Sequence, residues 1–143
     1  MILKYFHAIG RFWHAYSHKN LEPIDLYGSE HPLIMYLSEY DNASQDNIAA
    51  ALMLDKGTVA RSIARLEAKN LVQRSVNPEN HRKNMVSLTV FGCSEVNKVK
   101  DISEHWKKEI MKNISQDDQK QFLQTLEQIF NNAKELLQQN QEK

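Results

Sequence analysis

The chain has 143 residues, and 18 Lys plus Arg balance 18 Asp plus Glu, giving a formal net charge of zero and a pI of about 7.0. That balance excludes a uniformly acidic or basic chain and, taken alone, counts against a nucleic-acid binder, which is usually basic. With 41% hydrophobic and 25% charged residues, the composition excludes a disordered chain and fits one globular domain that buries roughly two thirds of its unfolded surface.

The longest apolar run, residues 48–54, is far shorter than the ~18 residues of a membrane span, so no membrane partner is expected. The N-terminus meets Arg11, His14 and His18 too soon for a signal-peptide core. A single cysteine, Cys93, cannot form an internal disulfide, and this fits a reducing cytoplasm. Few Gly and Pro residues tilt the expectation toward helix.

Ile2, Tyr5, Phe6, Ile9, Phe12, Trp13 and Tyr16 fall at spacings of three and four, which predicts an amphipathic helix to about Asn20. Pro23 and Gly28 break it, and Pro32 sits in the first turn of a second helix carrying Leu33, Tyr36, Leu37 and Tyr40. Ser44 is the expected N-cap of a short third helix with Ile48, Ala49, Leu52 and Met53 on its buried face. Asp55 should cap a fourth, with Val59, Ile63 and Leu66 inward and Asn70 supplying a left-handed end. Residues 71–76 and 85–90 then read as strands, Val86, Leu88 and Val90 alternating with Ser87 and Thr89. The residues between them form a long, polar, basic hairpin tip. Val96, Val99, Ile102, Trp106, Ile110 and Ile114 mark a long fifth helix. Ser115 starts a sixth, whose buried face is Phe122, Leu126, Ile129, Ala133 and Leu136. The residues from 138 onward read as a polar, fraying tail. No repeat or linker divides the chain.

The zero net charge is a cancellation. Residues 1–54 carry a net of −3, residues 55–83 a net of +4, residues 84–100 a net of +1 and residues 101–143 a net of −2. Positive charge therefore gathers on the fourth helix and the hairpin. Short helix, tight turn, helix and basic hairpin make the winged helix-turn-helix pattern. One α-helix fits the DNA major groove, where base edges are distinguishable. Thr58, Arg61, Ser62 and Arg65 should lie opposite the apolar line of the fourth helix. Lys56 and Gly57 sit in its first turn, where backbone N–H groups favour phosphate. Arg61 and Arg65 are the expected readers of bases or phosphates, and Arg82 could enter a flanking minor groove.

These residues resemble the multiple-antibiotic-resistance regulator (MarR) family. The resemblance runs through Gln45-Asp46-Asn47-Ile48-Ala49, Asp55-Lys56-Gly57-Thr58-Val59-Ala60-Arg61, Arg65-Leu66-Glu67-Ala68-Lys69-Asn70-Leu71-Val72-Gln73-Arg74, Asn80-His81-Arg82 and Val86-Ser87-Leu88-Thr89-Val90-Phe91-Gly92. It implies a mainly α fold with a small β-hairpin wing in one domain over 1–143. Residues of about 1–20 and 95–143 would supply dimerisation helices, and about 30–92 the winged DNA-binding lobe. It further implies a cytoplasmic homodimer on a palindromic operator of double-stranded DNA. Repression relieved by a small ligand, of the aromatic-acid type, is the expected regulation, with no cofactor and no enzymatic activity. Expected DNA contacts are Ser44, Gln45, Lys56, Gly57, Thr58, Arg61, Ser62, Arg65, Asn80, His81, Arg82 and Lys83. Arg82 resembles the family's wing-tip arginine, although Asn80 replaces its usual acidic partner.

An effector pocket is expected among His7, Arg11, His14 and Trp106, Arg11 being able to pair with a carboxylate. An ordinary polar helix face is the alternative for that stripe. His14 and His18, four apart, leave a metal site open if Glu22 or Asp25 folds back. Cys93 leaves a redox switch open, a structural role being the expected one. A protein-interaction module that has lost DNA binding competes with the regulator reading. The retained Lys56, Thr58, Arg61, Arg65 and Arg82 speak against it.

Overall fold

A computed structural model describes residues 1–22, 24–80 and 84–141, the side chains of Asn140 and Gln141 excepted. Its elements are α1 (Ile2–Asn20), α2 (Glu30–Glu39), β1 (Ala43–Ser44), α3 (Gln45–Leu52), α4 (Lys56–Ala68), β2 (Val72–Val76), β3 (Asn84–Leu88), α5 (Val90–Ile110) and α6 (Gln116–Gln141). Met1–Trp106 and Lys107–Lys143 form two compact units.

The first unit is built around α2, α3 and α4. Leu33, Ile34 and Leu37 of α2, Ile48 of α3 and Val59, Ile63 and Leu66 of α4 are fully or almost fully buried together. Removing each such aliphatic side chain from water contributes about 1.5–3 kcal/mol. Leu71, Val86, Val96 and Val99 extend this core to the strands and to α5. The sheet is antiparallel in the order β1-β3-β2, with Ala43 opposite Val86 and Val72 opposite Leu88.

Several local expectations hold. The Asn47 N–H donates to Ser44 Oγ at 3.1 Å, and the Thr58 N–H donates to Asp55 Oδ1 at 2.8 Å, so both caps form. Asn70 is left-handed, with φ of 57°. The Asp118 N–H donates to Ser115 Oγ, and the Ser115 hydroxyl donates back to Asp118 Oδ2, opening α6 where negative charge suits a helix start.

Others are corrected. Val90 is not in a strand but begins α5, and it is 91% exposed. The cause is Thr89. Its Oγ1 accepts from the Gly92 N–H at 2.8 Å and its carbonyl accepts from the Cys93 N–H at 2.8 Å, turning the chain into helix. Met53 leaves the buried face of α3, because it takes the left-handed position that ends the helix. Ile114 lies beyond α5, which stops at Ile110 before left-handed Asn113. Phe122 and Leu136, expected to be buried, are 50% and 60% exposed. α6 also runs on to Gln141, further than the expected tail allows. Cys93, expected to be structural and buried, is exposed on the first turn of α5.

Candidate nucleic-acid interface

α3, the turn at Met53 and Leu54, and α4 place the first turn of α4 at the surface. Asp55 does more than cap. The Thr58 hydroxyl donates to Asp55 Oδ2 at 2.6 Å, and Arg61 Nη2 donates to Thr58 Oγ1 at 3.1 Å. These bonds to Thr58 hold the Asp55 carboxyl below the usual carboxylate range. The chain of bonds lays the Arg61 guanidinium back along the first turn. Gly57 makes room for it, since a Cβ there would stand 3.2 Å from Arg61 Nη1. Lys56 is exposed beside them, 3.3 Å from Asp46. Such an exposed pair is weak and leaves the ammonium available to phosphate.

The expected contact set divides. Lys56, Gly57, Thr58 and Arg61 come together on the N-terminal half of α4. Ser62 does not join them: its side chain is fully buried. It stands beside Ile63 and three residues after Val59, at the margin of the inward face. Arg65 is exposed, with 49% of its side chain accessible, but its Nε is engaged, donating to Glu30 Oε1 at 2.5 Å. Arg74 is also engaged, Nη2 lying 2.9 Å from Glu67 Oε2. Ser44 is buried and its oxygen is used in the α3 cap. Gln45 opens α3 partly buried, and its Nε2 is buried with no hydrogen-bond partner among the described residues. Asn80 is exposed near the hairpin tip, with its N–H donating to the Asn77 carbonyl at 3.2 Å. His81, Arg82 and Lys83 lie outside the described residues. The residue that sequence reasoning missed is Glu30, because its partners stand 35 and 39 positions away.

The expected effector residues do not converge. His7, Arg11 and His14 are exposed on α1. Trp106 packs on the other side of that helix, 5.7 Å from the Trp13 ring and 5.1 Å from that of Tyr16. His14 instead stacks on His18 and meets Tyr27 at 5.7 Å. Asp25 does fold back onto His18, its Oδ1 lying 2.5 Å from Nδ1. Among the described residues, however, no three potential metal ligands gather. His31 meets the edge of Trp13 at 4.9 Å, and burial pushes its imidazole below the usual histidine range. Its Nε2 lies 3.1 Å from Ser103 Oγ, whose own proton goes to the Val99 carbonyl. The neutral ring must therefore carry its hydrogen on Nε2 and donate it to Ser103.

A buried three-helix core, a helix-turn-helix at α3 and α4, and an antiparallel hairpin paired with β1 together define a winged helix-turn-helix protein. The family model of MarR, "MarR family", matches residues 26–83. The HTH-type transcriptional regulator YdgJ of Bacillus subtilis (strain 168) is 29% identical over 100 residues, covering 70% of this chain. That match spans only 61% of YdgJ's own length. A MarR transcriptional regulator from Methanosarcina mazei Go1 superposes with a TM-score of 0.83 at 26% identity, covering 94% of this chain and 97% of that one. The S. aureus MepR of a MepR–DNA complex shares the fold, with a TM-score of 0.85 at 22% identity, over 93% of this chain and 98% of that one. Over residues 26–83 the chain is similar to the MarR family, and its fold is the one these regulators share. Among the described residues, no helix is long and apolar enough to cross a membrane.

Proposed function

We propose that this chain is a sequence-specific, double-stranded-DNA-binding transcriptional regulator acting as a cytoplasmic homodimer, and that its sign is repression. The observation that carries the reading is the first turn of α4, where the bonds from Asp55 and Thr58 present Arg61 beside Lys56 on an exposed surface. A helix held this way offers a bidentate guanidinium to base edges and a helix N-terminus to phosphate. MepR, which shares the fold, is seen on DNA. A two-fold dimer would space two such helices by about one DNA turn, ~34 Å, on a palindromic site.

The test is selection of bound sequences from genomic DNA, followed by titration at several salt concentrations. Wild-type protein should enrich a palindrome. Arg61→Ala should weaken specific binding by about 1–3 kcal/mol. Each lost phosphate contact should also flatten the salt slope by about 0.9. Equal binding of all sequences, or an unchanged affinity in Arg61→Ala, would remove the assignment.

Release from DNA is proposed to follow a population shift. A ligand that prefers dimers with wrongly spaced lobes costs operator affinity in proportion to that preference. A cavity of about 380 Å³, a size suited to a small ligand, is lined by His31, Pro32, Met35, Tyr36, Glu39 and Leu52. Among the described residues no Lys or Arg lines it, and the buried His31 ring stays neutral, so Glu39 is the described lining residue that carries charge at neutral pH. This lining favours a neutral or cationic aromatic ligand over the aromatic acid expected from the sequence. Benzyltrimethylammonium should therefore raise the melting temperature more than benzoate does, and Glu39→Gln should erase the difference. Stabilisation by benzoate alone would return the acid reading.

A further inference from the structure

Glu30 is the first residue of α2, and its carboxylate is fully buried. Burying a carboxylate is costly unless it is paired and hydrogen-bonded. Here its pairing is nearly complete. Oε1 takes Arg65 Nε at 2.5 Å, and Oε2 takes Lys69 Nζ at 2.5 Å and the Tyr27 N–H at 3.1 Å. Arg65 lies in the last turn of α4, and Lys69 is the residue that caps its C-terminal end. Lys69 also donates to the Asp25 carbonyl and lies 5.3 Å over the Tyr27 ring, within cation–π range. The Asp25 carboxylate in turn accepts from the Tyr27 hydroxyl and contacts His18 Nδ1 at 2.5 Å. One polar chain thus runs from the last turn of α1, through the α1–α2 loop, to the last turn of α4.

We infer that Glu30 is the positioning residue of the DNA-reading helix, clasping Arg65 and Lys69 so that α4 is fixed against α2 and the end of α1. On this reading Arg65, although about half of its side chain is exposed, serves as an anchor through Nε and not as a reader of DNA. The inference rests on the proposed DNA-binding function and deepens it. α4 is held at two ends: the Asp55 cap sets its start, and Glu30 sets its finish. Between them the pitch of α4 is determined, and with it the direction in which Arg61 is offered. A phosphate cannot recruit Arg65 or Lys69 cheaply, because leaving would strand a buried carboxylate. The cationic residues of α4 therefore divide into a reading end, Lys56 and Arg61, and an anchoring end, Arg65 and Lys69. The other end of the polar chain lies on α1, a proposed dimer helix, so the same clasp would fix each reading helix relative to the dimer axis.

The sign of the Glu30→Gln effect separates this from simple electrostatics. Removing an anionic side chain from a DNA-binding lobe should, by charge alone, strengthen DNA binding. Loss of a positioning residue should instead weaken specific binding about tenfold or more, with the salt slope unchanged because no phosphate contact is lost. The comparison is made at a temperature where thermal melts show both proteins fully folded. Lys69→Gln leaves Arg65 on the carboxylate and serves if Glu30→Gln fails to fold. It should show the same weakening at smaller size. Arg65→Gln should likewise weaken specific binding at an unchanged slope. Native or tighter binding by the Glu30 variant, or a slope flattened by about 0.9 in Arg65→Gln, overturns the inference. If wild-type protein proves to bind no DNA specifically, amide hydrogen exchange still reads the clasp. In Glu30→Gln, or in Lys69→Gln, the end of α4 and the α1–α2 loop should lose protection together, and protection equal to wild type overturns it.

Discussion

Gly92→Ala is expected to cost about 3 kcal/mol or more of folding stability, read as a lower urea midpoint. Gly92 is buried in the first turn of α5, and a Cβ there would collide with the Leu71 carbonyl oxygen. It would also stand 3.0 Å from the Leu71 carbonyl carbon and 3.3 Å from Thr89 Oγ1. Neither backbone atom can swing aside as a side chain would. Leu71 lies three residues beyond α4, with its N–H bonded to the Leu66 carbonyl at 2.9 Å. Its carbonyl accepts from the Thr89 N–H at 3.1 Å, and the Thr89 hydroxyl donates to the Asn70 carbonyl at 2.6 Å. One crowded junction therefore ties the end of α4, the start of β2 and the start of α5. Admitting a methyl group means separating them and uncovering Leu71, Val96 and Val99. Gly10→Ala is the control. Nothing lies within 4 Å of the Cβ it would add on α1, so helix propensity alone acts and stability should hold or rise by up to about 1 kcal/mol. A Gly92→Ala protein as stable as Gly10→Ala would mean the junction is looser than its distances require.

That junction also shows what the sequence could and could not convey. α4 was legible in detail, because its signals are local: an aspartate cap, then Val59, Ile63 and Leu66 at helical spacing, then a left-handed asparagine. The end of β3 was not. Val90 continues the alternation of Val86 and Leu88 perfectly well, and only the Thr89 cap, paired across to Asn70, converts it into helix. β1 is two residues long, too short for alternation to register, and it exists only through its pairing with β3.

The site divides by the same principle. Lys56, Thr58 and Arg61 were legible because their arrangement depends on neighbours three residues away. Periodicity placed Ser62 and Arg65 outward; Ser62 is buried, while Arg65 is exposed as expected but pairs with Glu30, which periodicity could not foresee. Glu30 decides Arg65, and a lone acid at the start of a helix is ordinarily a surface residue near the favourable end of the dipole. Its burial follows from two cations brought from the far end of another helix. The charge arithmetic changes accordingly. Of the basic residues that concentrated the +4 segment, Arg65 and Lys69 pair with the buried Glu30, and Arg74 pairs with the half-buried Glu67. On the proposed function, the unpaired positive charge among the described residues rests on fewer groups, and the salt slope should reflect that smaller number.

Phe122→Asp combined with Leu136→Asp is expected to convert the protein from dimer to monomer and to lower affinity for a palindromic operator by about 10²–10⁴-fold. The reason lies in apolar surface that one chain leaves uncovered. On α6, Phe122, Leu123, Phe130, Leu136 and Leu137 are exposed, although Phe122, Leu126, Ile129, Ala133 and Leu136 share one helical face. On α1, Ile2, Leu3, Tyr5, Phe6, Ile9 and Phe12 are exposed as well. So many exposed apolar residues on one helix, each helix taken by itself, mark an interaction surface. A second copy is the occupant that the proposed two-fold DNA recognition requires, since it would bring the second reading helix. An aspartate at each end of the α6 face would have to be desolvated without a partner in that interface, which disfavours association strongly. The winged lobe should survive, because α6 belongs to the second compact unit, while Val59, Ile63 and Leu66 are buried in the first. Sedimentation should therefore report a monomer with the helical circular-dichroism signal largely kept. Binding to an isolated half-site should stay close to that of one wild-type lobe, while the gain from linking two lobes disappears. A wild-type protein that sediments as a monomer, or a doubly substituted protein that still binds the palindrome at full strength, would show that the exposed faces serve some other partner.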